Sequence, residues 1–202
     1  MNPINDLKAE HQAVKLTLKI LNKINQKIQA NSKVVNPVHV EQLLEFFSVF
    51  VDTCHHGKEE ELLFPALEQI GVSKDNGPIG VMLHEHRLGR TYVNGMKAAW
   101  SAYRKGDGKA LKMFIENANC YITLLNEHIH KEDSVLFPLA ENNLPQEKQT
   151  EIYAGFEKIE IEKIGIGKHE KFHRLLEQLQ EIYLEEVDED ESESSQAACR
   201  LA

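Results

Sequence analysis

The sequence has no uninterrupted apolar run of ~18 residues, which argues against a membrane-spanning helix. Cysteine is scarce. Cys54, Cys120 and Cys199 form neither a CxxC pair nor an even framework, so the expected setting is a reduced, cytoplasmic one. The first residues, MNPINDLKAEH, lack a basic patch followed by an apolar stretch, and no signal peptide is expected. Proline (6) and glycine (11) are few among 202 residues of which 42% are hydrophobic, so most of the chain is expected to fold. No GxGxxG marks a reductase domain, so any reductant must come from outside. Concentrated positive charge is missing as well. The formal net charge is −9, and EEVDEDESE at 185–193 carries seven of those negative charges, leaving a body of mixed sign at about −2. Nucleic-acid partners are not expected from such a surface.

What the chain does hold is histidine, ten in all, mostly inside apolar-periodic stretches. Ile4, Leu7, Val14, Leu18, Leu21 and Ile28 repeat at helical spacing and predict a helix over about 4–30. Further helices are predicted over about 38–70, 78–104, 108–142 and 165–187, separated by NSKVVNP, GVSKDNGP, RKGDGK and a short connecting segment starting at ENNLPQEK. Pro65 and Pro138 fall inside two of these patterns and are expected to bend or end them. No strand alternation is present. The expected fold is all-α, an up-down four-helix bundle with an additional C-terminal helix. The domain spans 1–185, with the four-helix core over about 4–142 and the connecting segment and extra helix over about 143–185. An acidic, disordered tail is expected over 186–202.

An internal repeat picks out the chemistry. HHGKEEELLFPALE (55–68) aligns without gaps on HIHKEDSVLFPLAE (128–141), matching His55 with His128, Lys58 with Lys131 and Glu59 with Glu132. His56 faces Ile129 and His130 faces Gly57, so both drop out of the match. Upstream, Glu10-His11 precedes His55 by 44 residues and Glu85-His86 precedes His128 by 42. Two helical hairpins related by duplication follow from that pattern. At ~1.5 Å per residue, His11 and His55 lie roughly 35 and 32 Å from the turn between their helices, hence at similar height. The second hairpin balances in the same way. Residues four apart share a helix face, so each HxxxE presents both groups to one place. Six such groups in a bundle core must be paired or bind metal. Imidazole with carboxylate suits iron, and also zinc, copper or nickel.

These segments, EH at 10–11, HHGKEEELLFP at 55–65, EHRLGR at 85–90 and HIHKEDSVLFP at 128–138, resemble the hemerythrin-like, HHE cation-binding family. The resemblance implies two non-haem Fe ions, oxo- or hydroxo- and carboxylate-bridged, held by His11, His55, Glu59, His86, His128 and Glu132, with Glu59 and Glu132 bridging. Oxygen-carrying members have a further histidine four residues along the third helix, where this chain has Arg90. They also have an aspartate five residues after the fourth-helix histidine, so Asp133 competes with Glu132 for one role. GKHEKFHRLLEQL (167–179) resembles an extra C-terminal helix of some bacterial members, from which His169 would add a fifth imidazole. Cys54 and Cys120 read as buried small hydrophobes, and His39 as solvated. Phe46, Phe47, Phe50, Leu63, Phe64 and Phe137 read as core.

The functional expectation is a binding protein rather than an enzyme: O2 or NO held at the di-iron centre for sensing, storage or delivery, with no membrane partner and an outside electron donor. The alternative is an enzyme-like role in peroxide or nitric-oxide reduction, or iron donation for iron-sulfur cluster repair. A ferritin-like carboxylate site through Glu127-His130 and Glu170-His173, each at ExxH spacing, ranks behind both.

Overall fold

A computed structural model describes residues 2–30, 35–75 and 77–185. Helix α1 is Pro3–Gln29. Helix α2 runs continuously over residues 37–69, as Pro37–Phe46, a π-helical stretch Phe47–His56, a second Glu59–Leu63, and Phe64–Gln69. Helix α3 is Pro78–Arg104. Helix α4 covers 110–143, as Ala110–Lys131, a π-helical turn Glu132–Leu136, and Phe137–Asn143. Helix α5 covers 146–164 and ends on a π-helical turn, Glu160–Ile164. Helix α6 is Lys168–Leu184. No strand occurs among the described residues, so the fold is the expected all-α bundle.

Local chemistry sets the boundaries. The Asn2 and Asn36 side chains accept from Ile4 N and Val38 N, and the proline after each sits in the first turn, where a missing N–H costs nothing. Gly71 (φ 93°) and Gly106 (φ 103°) follow α2 and α3 in a left-handed conformation that L side chains resist. Pro65 and Pro138 do not end their helices. Each follows a π-helical turn, Glu59–Leu63 or Glu132–Leu136, whose widened register makes room for a residue without an N–H. The stretch expected to be a short connection folds instead as α5. Ile152, Phe156 and Ile159 are buried on one of its faces, a period that polar neighbours obscure in the sequence.

The four long helices enclose two apolar clusters. One joins Leu18, Leu21, Phe46, Phe47, Phe50, Trp100, Phe114 and Tyr121, with Phe172 and Tyr183 of α6. The other joins Ile4, Leu7, Leu63, Phe64, Leu67, Met82, Leu136 and Phe137, with Ile152 and Phe156 of α5. Ten buried polar residues, Glu10, His11, His55, His56, Lys58, Glu59, Glu85, His86, His128 and Glu132, form one connected group of polar and ring contacts. A polar layer thus interrupts an otherwise apolar bundle. No helix among the described residues is long and apolar enough to cross a membrane.

Lys58 pins three helices together. Its Nζ donates to Asp6 (2.8 Å) and Glu10 (2.7 Å) of α1 and to Glu160 (2.6 Å) of α5, with the Phe156 ring 5.2 Å away. Burial opposes the charge, but Glu10 and Asp6 hold the ammonium well above its usual range. Cys54 is buried and Cys120 exposed, so only the first behaves as the expected small hydrophobe; Cys199 and the expected tail over 186–202 lie outside the described residues. Burial pushes the Cys54 thiol up, which leaves it unreactive. Lys58→Met strands three carboxylates, two of them partly in water. It is expected to destabilise the metal-free chain by about 3 kcal/mol, read as a lower denaturant midpoint. An unchanged midpoint contradicts the pinning role.

Candidate metal centre

The six repeat-matched residues meet in the polar layer. His11 Nε2 and His55 Nε2 face each other at 3.1 Å, and His86 Nε2 and His128 Nε2 at 3.2 Å. Each pair comes from one hairpin, α1 with α2 and α3 with α4. The two carboxylates span the pairs. Glu132 places Oε2 at 3.2 Å from His11 Nε2 and Oε1 at 3.2 Å from His128 Nε2. Glu59 places Oε1 at 3.8 Å from His55 Nε2 and Oε2 at 3.4 Å from His86 Nε2.

The outward nitrogens explain why the inward ones are free. His11 Nδ1 lies 2.8 Å from Asp133 Oδ1, His55 Nδ1 2.8 Å from Glu10 Oε2, His86 Nδ1 2.7 Å from Glu60 Oε1, and His128 Nδ1 3.0 Å from Glu85 Oε2. A carboxylate only accepts, so each Nδ1 carries a proton and each Nε2 is left inward, to take a metal ion or, in the metal-free chain, a second proton. A cation anchors every one of these carboxylates in turn. Lys15 binds Asp133 (3.0 Å), Lys58 binds Glu10 (2.7 Å), Arg90 binds Glu60 (2.8 Å), and Lys131 binds Glu85. Arg90, at the position where oxygen carriers have a histidine, therefore holds the carboxylate behind His86. The competition between Glu132 and Asp133 resolves geometrically: Glu132 faces the imidazole pairs and Asp133 stands behind His11.

Two lone pairs 3.1 Å apart repel unless a cation or proton lies between them. Imidazoles bound side by side on one ion, at about 2.1 Å each, hold their nitrogens about 3 Å apart. Both oxygens of Glu59 and of Glu132 are buried without a hydrogen-bond partner. Burial and the neighbouring Glu132 push the Glu59 carboxyl well above its ordinary range. Burial pushes Glu132 the same way, but His128 and His11 outweigh it and hold that carboxylate far down. The donor set therefore fits a pair of cations: two imidazoles on each side and two buried, unsatisfied carboxylates between. Phe137 stacks on His11 (centroids 5.2 Å, 15°) and Phe64 on His86 (5.8 Å, 22°), so the repeated Leu-Phe-Pro supplies an aromatic wall on each side.

The remaining histidines divide. His84, His130 and His173 are exposed, as are Glu127 and Glu170, which leaves both ExxH pairs at the surface. His39 is half-buried and hydrogen-bonds Tyr183 Oη at 2.9 Å, rather than being solvated. His169 does not join the imidazole pairs. The structure groups it with Glu10 and Glu160, against the carboxylate behind His55, with its ring 5.2 Å from Phe50. His56 is the residue that repeat matching passed over. It is 3% exposed, lies parallel to His86 with ring centroids 3.8 Å apart, and groups with His86 and His128. Neither of its nitrogens has a hydrogen-bond partner, and burial and the neighbouring His86 push its protonation far down. The signal was the His55-His56 doublet. At 100° per residue an α-helix turns the second ring away, but the π-helical stretch Phe47–His56 rotates less per residue and keeps both rings inward.

Comparison with known proteins agrees with this geometry. The chain matches the hemerythrin HHE cation-binding domain over residues 2–140. It is 26% identical over 160 residues to uncharacterized proteins of Mycobacterium bovis and Mycobacterium tuberculosis, covering 79% of this chain and 62% of theirs. The chain thus spans less than two thirds of the length of those relatives. It is 34% identical over 90 residues to the iron-sulfur cluster repair protein YtfE of Yersinia pestis, covering 44% of this chain and 41% of that one. No solved structure matches the chain. The matched region takes in both hairpins and every imidazole of the polar layer, and the chain belongs to the hemerythrin HHE cation-binding domain family.

Proposed function

We propose that this protein holds two iron ions, one between His11 and His55 and one between His86 and His128, and binds a small diatomic ligand, O2 or NO. The ions would supply redox chemistry and open coordination positions. The chain's own residues do the rest. Glu59 and Glu132, set between the imidazole pairs, would offset the charge of both ions. The four outer carboxylates fix the tautomer of each imidazole, and Phe64 and Phe137 keep water from the rings. A cavity of about 210 Å³, lined in part by Asp52, His56, Gly89, Arg90 and Tyr121, reaches the polar layer at His56 and offers a route for a small ligand. The observation that carries this reading is the pair of facing Nε2 couples spanned by two unsatisfied carboxylates.

A second reading, iron donation for iron-sulfur cluster repair, is favoured by the likeness to YtfE over 90 residues. A reduced cytoplasmic setting and an outside electron donor suit either role.

Ferrous iron added without oxygen is expected to saturate at two ions per chain, measured by metal analysis. His55→Ala combined with His128→Ala, one imidazole removed from each couple, is expected to abolish tight binding of both. Retained stoichiometry in the double variant contradicts the ligand set. Binding is also expected to depend on pH. In the metal-free chain burial disfavours a charged His128, yet Glu132 and Glu85 outweigh it and push its pKa up to about 9. That proton must leave before an ion binds. Burial opposes a charged His11 too, but Asp133 and Glu132 raise it, and burial raises Glu59, so more than one proton is displaced. Affinity in chelator competition should therefore fall at least tenfold per unit as pH drops below about 9. A flat profile contradicts this. Exposure of the iron-loaded chain to O2 or NO should give a persistent visible absorption band. Transfer of iron to a cluster-depleted acceptor protein, with no such band, would support cluster repair instead.

A further inference from the structure

We propose that His56 is a fifth imidazole ligand of the centre, joining His86 and His128 on one ion, and that Asp52 and Arg90 position it. The inference rests on the two-ion reading above and deepens it.

The argument begins with the repeat. In the register that matches His55 with His128, Asp52 corresponds to Leu125 and His56 to Ile129. Leu125 and Ile129 are ordinary core residues, 3% and 1% exposed. One hairpin therefore carries an apolar pair, four residues apart, where the other carries an acid and an imidazole. Stacking on His86 does not require nitrogen; a phenyl ring would stack as well. Two buried ring nitrogens without partners are disfavoured against an apolar side chain. Ligation repays that cost, and His56 groups with His86 and His128 at ligand spacing.

The surroundings of His56 repeat the format of the four matched imidazoles. Each of those has a carboxylate at Nδ1 and a cation on the carboxylate. His56 Nδ1 faces Asp52 Oδ1 at 3.5 Å, and Arg90 Nε donates to that same oxygen at 2.6 Å. The other arm of Arg90 holds Glu60, the carboxylate behind His86. A single guanidinium thus anchors the carboxylates behind two rings stacked on one another. Lys15, four residues after His11 as Arg90 is four after His86, binds Asp133. With Leu125 in place of an acid, that side has no counterpart of Asp52. The fifth arrangement looser than the rest, at 3.5 Å, is the one on the wall of the cavity beside the centre. The rival explanation is that cavity water satisfies His56 and no ion touches it.

The test uses the full chain labelled with 15N-histidine and loaded with zinc, a diamagnetic probe. Long-range ring correlations, assigned through to the backbone in the wild-type chain, count the imidazoles whose nitrogen moves to the metal-bound range. Five rings including His56 is the expected result. Four rings, with His56 unmoved at two bound ions, overturns the inference while leaving the centre intact. A chain that takes up no zinc or iron overturns the two-ion reading and this inference together. In cobalt-loaded protein, His56→Gln should release one ion to a chelator about tenfold faster and leave the other unchanged. His56→Gly should regain the slow release when free imidazole is added. Unchanged release from both variants overturns the proposal.

Discussion

One interaction, the hydrogen bond from an imidazole Nδ1 to a carboxylate on a neighbouring helix, organises this molecule. It occurs four times and closes a ring. Glu10 joins α1 to His55 on α2, Glu60 joins α2 to His86 on α3, Glu85 joins α3 to His128 on α4, and Asp133 joins α4 to His11 on α1. Each bond fixes a tautomer, so it aims a lone pair inward as it clamps two helices. Chemistry and architecture are set by the same atoms. A cation behind every carboxylate keeps it ionised and spares the inner layer four stray negative charges.

That layer would be a liability in a bundle without ions. Burial pushes Glu59 toward its neutral form and opposes the charge of Glu132, which stays ionised only beside His128 and His11, while the oxygens of both lack hydrogen-bond partners; buried polar groups left so cost several kcal/mol. The two apolar clusters, with Phe50, Phe114, Phe156 and Phe172 among their largest members, supply the burial that holds the helices at this spacing. Bound cations would convert the cost into stabilisation, which would link metal loading to folding stability. Wide π-helical turns lie where the candidate ligands cluster: one stretch ends on His55-His56, one begins at Glu59, and one begins at Glu132. Each rotates side chains away from the α-helical schedule, which is how a few neighbouring positions can all face one point.

Much of this was legible in the sequence because duplication gave each signal a second copy. His11, His55, Glu59, His86, His128 and Glu132 stood out by matched order and spacing, and they converge in the structure. The four bundle helices and α6 were legible from apolar period alone. What was not legible depended on register and on tertiary neighbours. Glu10 and Glu85 were visible as part of a shared dipeptide, but their pairing with the histidines of the next helix required the bundle. Glu60 and Asp133 sit one residue past Glu59 and Glu132, and only the fold separates the inner acid from the outer. His56 was hidden because the repeat sets it against Ile129, and α-helical rotation from His55 turns it outward where the π-helical stretch does not. Helix α5 was hidden by a polar-rich face. That helix brings Glu160 against Lys58, and His169 then meets Glu10 and Glu160 instead of the imidazole couples.

The central claim is that four clamped imidazoles point their free nitrogens at two adjacent cations. Anomalous diffraction from crystals of the iron-loaded chain tests it most directly. The account predicts two iron peaks, one bound by the Nε2 atoms of His11 and His55 and the other by those of His86 and His128, with Glu59 and Glu132 between them. A single peak, or iron lying instead among Glu10, Glu160 and His169, would contradict it.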